Sequence, residues 1–576
     1  SPHARANAQS RVVYTPIGGR KFTRNTVDIT ATPKRKTLEP LRLNVSRTPF
    51  TASRNIAGYE ADKDPIRTYL RLKPASSTTP LTSLVQLVSD KEVEVERTAD
   101  GTRERYLFSG VLHSMSKQAR VFEVCAVPVV RDLFGGYNTL LFSYGTTNSG
   151  KTFTVQGTGA NPGLLGRSLQ AVLGVVDALG AQGDVAVRPR YATQVESCSD
   201  PRVVRPTFRI APGEDAWVNA LSAEDPLADA QVRGIVDELQ RAPDTDAYVY
   251  QLYVSYVEVY NEMIYDLLDL ATLTTVHVKG AGANEPSAPR PNTRRRGRAQ
   301  PAPEEPDALH MSAAAIAAVA RTPLLLRSEG GRGHEAFVDG ATEVRVRSVR
   351  DVVRVLLHGQ MRRAVHATGL NAGSSRSHAV VQAKLVKLRR SDQQASVRTL
   401  TIVDLAGSER AKRTGNLGDR LLEAGKINAG LMTLKKCLDV KRYNASLPPD
   451  SAAAQQLVPY NESKVTRLLQ PALEGGARTM MVVCVDAYDR HGGDDAAALA
   501  EIKGVLDFAR VASELVTYVR PVDDVDDDEE EEDEVFFDTA SSRASLVGAA
   551  RKRGAVEAAA TPKRQRADLS GGWQTP

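Results

Sequence analysis

The chain is 576 residues long, 41% apolar and 25% charged, with a formal net charge of +6, an ordinary composition for a globular protein. No secretory leader is visible, and the apolar run Ala313–Ala320 is far too short to cross a bilayer. The four cysteines, Cys125, Cys198, Cys437 and Cys484, include no C-x-x-C pair, which argues against a zinc site or disulfide framework and for a reducing compartment.

Residues 1–63 read as a disordered basic arm, with ten Lys/Arg and two acids in the first fifty positions. A globular region follows over 64–516. It opens with a strand at "IRTYLRLKP" and a helix at "VFEVCAVPVVRDLFGG". The run "TLLFSYG" (Thr139–Gly145) then reads as a buried strand, leading into G-x-x-x-x-G-K-[ST] from Gly145 to Thr152. Gly145 and Gly150 let the backbone curl, so that successive N–H groups across Thr146, Thr147, Asn148 and Ser149 point at phosphate oxygens. Lys151 would reach the β- and γ-phosphates, and the Thr152 hydroxyl would face Mg²⁺.

Residues 181–246 are rich in Ala, Asp, Pro and Arg without sustained periodicity, and read as an insertion. The globular region resumes at 247 and is broken again near 279–322 by a proline- and charge-rich run that cannot pack a core. Two later stretches supply groups that hydrolysis needs. "NAGSSRSH" offers Asn371, the hydroxyls of Ser374 and Ser375, and the guanidinium of Arg376, ahead of an apolar strand. In "TIVDLAGSER" an apolar strand ends in Asp404, an acid able to hold Mg²⁺ through water. There Gly407 allows a backbone N–H to approach a phosphate, and Glu409 follows. Strands alternate with helices throughout, so the fold class is α/β with a mainly parallel sheet. Residues 517–576 hold an acidic run, with eleven acids in 523–534, and then a basic tail. No sustained heptad pattern follows Leu515.

The phosphate loop, then N-x-x-S-S-R-S-H, then D-L-A-G-S-E, in that order, resemble the phosphate loop, switch I and switch II of the kinesin motor domain. "YLRLKP", "VSYVEVYNEMIYDLL", "EAGKINAGLMTLKKCL" and "VPYNESKVTRLLQPALEGGARTMMVVCV" extend the resemblance over about 64–516, apart from the two insertions. "TNSGKT", "SGVLHSM" and "LNAGSSRSH" are most similar to the mitotic-kinesin-like, or cytokinesis, branch.

The resemblance implies an eight-stranded central sheet flanked by helices, with ATP and Mg²⁺ at the carboxyl ends of its strands. It places Arg71 and Pro74 beside the adenine, with Lys73 where the family usually has Arg. Phe153 either packs on the base or faces the core. Thr152 and Ser375 become direct Mg²⁺ ligands, with Asp404 one water away. Ser374 and the Gly407 N–H contact the γ-phosphate region, and Arg376 and Glu409 form an ion pair between the switches. Basic residues Lys412, Arg413, Arg420, Lys426, Lys464 and Arg467 match the family's microtubule-binding segments, whereas Asn461 and Glu462 replace the usual Arg and Asp.

The function implied is an ATP hydrolase that moves along microtubules, plus-end directed, in mitosis or cytokinesis. The alternative is a slow or non-motile microtubule crosslinker. The expected partner is tubulin, with neither a membrane nor a specific nucleic acid, and a homodimer would need a stalk not visible in this chain. The expected location is the cytoplasmic microtubule cytoskeleton and spindle. The basic segment Arg551–Arg566 resembles a nuclear import signal for the interval between divisions.

Overall fold

The computed structural model describes residues 62–75, 83–96, 102–180, 182–183, 187–189, 195–197, 214–223, 226–241, 247–269, 321–329, 335–367, 376–391, 394–409, 419–448, 455–488, 495–519 and 521–522. Residues 1–61, 270–320 and 523–576, which hold nearly all of the terminal arms and of the second insertion, lie outside them.

Thr139–Tyr144 is the middle of the molecule. Every residue of this strand is buried, as a strand covered on both faces must be. It pairs in parallel with Ala395–Asp404 on one side and Arg478–Val485 on the other. Arg67–Leu72 and Gly110–Leu112 continue the parallel half. Beyond Ala395–Asp404 the sheet turns antiparallel through His378–Arg389, Tyr248–Tyr260, Met263–Asp266, Pro323–Glu329 and Glu335–Asp339, with Val344–Val346 also pairing on Tyr248–Tyr260.

The expected central sheet between helices is therefore present, but it is mixed and, among the described residues, has eleven strands rather than eight. Short strands widen it, and tight turns explain its antiparallel half. Tyr260 pairs with Met263 across a two-residue turn in which Asn261 and Glu262 have φ of 54° and 60°. Such a turn joins antiparallel strands, whereas parallel ones need a long crossover.

Each face of the sheet is covered. Gln118–Cys125, Val127–Phe134, Leu164–Ala178 and Val349–Ala367 pack on one side. Asp419–Ser446, Lys464–Pro471 and Asp495–Ser513 pack on the other. The first insertion is more ordered than its composition suggests, because it carries helices Glu214–Ser222 and Pro226–Gln240. In the second, Val232, Ile235, Val236 and Leu239 recur at helical spacing and pack against the core. Past Leu515 the chain forms a strand, Val516–Val519, antiparallel to Asp62–Pro65, and the Val522 N–H then donates to the Gly136 carbonyl at 2.6 Å. Among the described residues no helix is long and apolar enough to cross a membrane.

Candidate nucleotide site

The loop after Thr139–Tyr144 leaves the carboxyl edge of the parallel strands, where open α/β sheets bind ligands. Gly145 has φ 150°, and a Cβ there would stand 2.2 Å from the Cys484 carbonyl oxygen, so the strand's exit requires glycine. Gly150, at φ 99°, precedes the helix Lys151–Val155.

Lys151 is 6% exposed. Its ammonium donates to the loop's own carbonyls, Gly145 O at 2.8 Å and Thr146 O at 2.7 Å. Burial lowers its pKa, and the charges of Asp404 and Glu409 oppose that shift. A buried cation whose hydrogen bonds, among the described residues, go to carbonyls is suited to receiving phosphate oxygens.

Asp404, 2% exposed, is the hub. Its Oδ2 accepts from Thr152 Oγ1 at 3.0 Å, Gln156 Nε2 at 3.2 Å and Arg363 Nη1 at 3.0 Å. Ser143 Oγ lies 3.5 Å from Oδ1. Arg363 comes from Val349–Ala367 and also donates to the Ser377 carbonyl at 2.8 Å. Burial works against its charge, but Asp404, Tyr256 and Glu258 outweigh it and raise the pKa. The hydroxyl of Thr152 and the carboxylate of Asp404 thus converge as hard oxygen donors, the set that Mg²⁺ prefers. The residues fit the nucleotide and the ion that the loop implies.

Glu409 departs from expectation. Its carboxylate is engaged by Thr147, through the backbone N–H to Oε2 at 2.8 Å and the hydroxyl to Oε1, instead of pairing with Arg376. The phosphate loop curls beneath switch II, and its nearest donors take the acid. A Cβ on Gly407 would lie 2.2 Å from both the Glu409 carboxylate and the Thr147 hydroxyl, so this clasp requires glycine. His378 adds a second tie, accepting the Ala406 N–H on Nδ1 at 3.1 Å. Burial, with Arg363 and Lys151 nearby, lowers its pKa to about 3, so the ring is neutral and free to accept.

Near the expected base site, Arg71 donates to Gln118 Oε1 at 2.7 Å and Thr154 Oγ1 at 2.8 Å. It also sits over the Phe153 ring at 5.4 Å. Phe153 is 44% exposed, which excludes the core alternative. Lys73 bonds to the Asn148 carbonyl and to Asp486, while Pro74 is exposed. Asn371, Ser374 and Ser375 lie outside the described residues, and half-buried Arg376 follows them at the entry to His378–Arg389.

Of the basic residues, Lys464 and Arg467 are carried by the helix Lys464–Pro471. Lys464 is exposed at the start of Lys464–Pro471, where Ser463 caps the helix and Glu262 Oε2 accepts the Lys464 N–H at 2.7 Å. Arg467 is turned towards Ser328 and Gln470. Glu462 pairs with Lys436 at 2.9 Å. Lys412 and Arg413 lie outside the described residues, as do the side chains of Arg420 and Lys426 on Asp419–Ser446.

Arg363, Gln156 and the Thr147–Glu409 clasp are not apparent from the sequence. Arg363 shows only as one of two adjacent arginines on an amphipathic helix, and Asp404 is 41 positions away.

Comparison with known proteins agrees with this geometry. The model of the kinesin motor domain matches residues 67–500. Mouse kinesin-like protein KIF23 is 31% identical over 486 residues, covering 80% of this chain and 44% of its own length. Fission-yeast kinesin-like protein 5 is 28% identical, covering 72% of this chain and 33% of its own length. The chain thus spans less than half of each of these two relatives. A solved structure described as "kinesin 6" superposes with a TM-score of 0.51 at 27% identity, covering 77% of this chain and 98% of its own. KIF14 residues 391–772, solved with AMP-PNP and a microtubule, shares the fold at TM-score 0.53 and 23% identity, covering 81% of this chain and 98% of its own. The chain belongs to the kinesin motor-domain family.

Proposed function

We propose that this chain is an ATP-hydrolysing motor that works on microtubules in mitosis or cytokinesis. The observation that carries the reading is the convergence of Thr152 and Arg363 on Asp404, beside a buried Lys151 and a loop clasped by Glu409. When bound, ATP and Mg²⁺ supply the labile phosphoanhydride and the ion that neutralises its charge. Lys151 exchanges its loop carbonyls for phosphate oxygens. Thr152 and Ser375 would hold the metal directly, with Asp404 one water away. Arg71 and Phe153 frame the base beside Pro74. Asn371 and Ser374 line the γ-phosphate side.

Glu409 would leave Thr147 and meet Arg376 when the Gly407 N–H engages a phosphate. That exchange would carry a change at the phosphate into Asp419–Ser446, whose helix follows switch II. The strand Val516–Val519, on the carboxyl side of the last motor helix, is the segment that such a change would dock or release. That placement supports plus-end direction. The cations Lys412, Arg413, Arg420, Lys426, Lys464 and Arg467 are the proposed contacts to acidic tubulin.

One observation favours the crosslinker alternative. Asn461 replaces a basic residue of the family pattern, and Glu462 spends the charge of Lys436. Steady-state ATP hydrolysis with and without stabilised microtubules separates the two readings. Strong stimulation that Glu409→Ala loses supports the motor. Tight microtubule binding with no stimulation establishes the crosslinker.

A further inference from the structure

The helix Glu214–Ser222 belongs to the first insertion, yet it is seated between two elements of the nucleotide site. On one side it packs along Val349–Ala367, the helix that delivers Arg363 to Asp404. Trp217 and Leu221 form a buried cluster with Val353, edged by Val218, Val349 and Leu357. Glu214 anchors the contact with two arginines, Arg350 at 2.9 Å and Arg354 at 3.2 Å. Asp215 adds a longer pair to Arg350 at 3.4 Å.

On the other side the helix touches the continuation of the phosphate loop. A Cβ on Gly159, in the turn after Lys151–Val155, would stand 3.1 Å from Trp217 Cδ1. One on Gly166, in Leu164–Ala178, would stand 3.4 Å from Leu221 Cδ1. The approach is tight at Gly159, where a Cβ would crowd the indole, and is an ordinary packing contact at Gly166.

The helix therefore bridges the segment after the phosphate loop and the segment before switch I. Val353 and Arg363 are ten residues apart on one helix, about 15 Å along its axis. A helix transmits a shift at one end as a rigid body, so a contact at Val353 sets where the Arg363 guanidinium meets Asp404. We propose that Glu214–Ser222 is a positioning clamp: it holds Val349–Ala367 against the phosphate-loop side, keeps Arg363 on Asp404 and thereby sets the rate at which nucleotide leaves. This rests on the nucleotide-binding reading above and extends it to a part of the chain outside the motor motifs. The side chains concerned lie outside the phosphate loop and the Asp404 cluster, and they reach that cluster through the helix that carries Arg363.

The test is the release rate of a fluorescent ADP analogue from the full 576-residue chain, measured by stopped flow beside melting temperature. Arg350→Glu/Arg354→Glu and, separately, Trp217→Ala are expected to speed release by about 2- to 30-fold, the usual range for a coupling of this kind. Adding Glu214→Arg to the double arginine variant reverses the charges on both sides and is expected to bring release back towards wild type. A merely structural helix would lower the melting temperature and leave release unchanged in every variant, and that result overturns the proposal. So does a charge reversal that restores stability without restoring release. The surface charge variants decide the matter even if Trp217→Ala does not fold. A wild-type chain that binds no ADP analogue overturns the nucleotide reading itself, whereas a wild type that binds and variants that release at its rate overturn only the clamp.

Discussion

The nucleotide site and the candidate track face are both built from charged residues, but they hold those residues differently. In the site, Lys151, Asp404 and Arg363 are buried, and each polar head has short, directional partners. On the candidate face, Lys464 stands in solvent, and nearby Lys435 and Lys436 are spent on the acids Asp439 and Glu462 at 2.8 and 2.9 Å. Buried charge is costly unless its geometry is right, so the site tolerates few changes. Exposed charge acts at long range and is screened by salt, so the face spreads its effect over many residues. The contrast predicts all-or-none behaviour in one region and graded behaviour in the other.

The largest expected effect comes from breaking the buried pair. Arg363→Met leaves Asp404 without its only full counter-charge among the Oδ2 partners, and should cost about 3–5 kcal/mol in chemical denaturation. A loss under 1 kcal/mol would mean that the pair is not the anchor described here. Next, Lys151→Ala should reduce ATP turnover by about 10²–10³-fold, the scale of a preorganised charge contact. It should leave microtubule binding nearly intact, because its amine faces the loop rather than the surface.

A smaller effect concerns acid. His378 is held neutral, with its pKa lowered from 6.5 to about 3. Between those values the unfolded chain takes up a proton that the folded chain refuses, so stability falls as pH drops. From pH 7 to pH 5 the loss from this residue is about 2 kcal/mol. His358, lowered to about 4 by burial and Arg362, adds to it in the same direction. In His378→Asn the slope of stability against pH should flatten over that range, as read from denaturation midpoints. An unchanged slope would place the acid sensitivity elsewhere. The smallest effect is on the face: Lys464→Ala should weaken microtubule co-sedimentation by about two- to fivefold at low salt and by nothing measurable at high salt.

The same contrast explains what could be read from the sequence. The phosphate loop, Asp404 and Gly407 are legible because their chemistry depends on backbone geometry encoded within a few neighbouring residues. Gly145, at φ 150° and against the Cys484 carbonyl, is needed for the loop to leave its strand. The partner of Glu409 was not legible, because Thr147 is 262 positions away. The burial of Arg363 was hidden for a similar reason, since an arginine on an amphipathic helix ordinarily faces water. The parallel centre of the sheet follows from its apolar strands. The antiparallel half depends on turns such as Asn261–Glu262, where a glutamate with positive φ gives no familiar signal. In the first insertion, Val232, Ile235, Val236 and Leu239 did mark a helix, but their narrow apolar stripe does not stand out against its Ala- and Asp-rich surroundings.

The separation of chemistry from binding is tested most directly by ATP hydrolysis titrated with microtubules for wild type, Lys151→Ala and Lys464→Ala. The account predicts that Lys151→Ala loses the maximal rate while still binding microtubules. It predicts that Lys464→Ala reaches the wild-type maximal rate at a higher microtubule concentration. Full turnover in Lys151→Ala, or a maximal rate that falls in Lys464→Ala with no change in the microtubule concentration required, would contradict it.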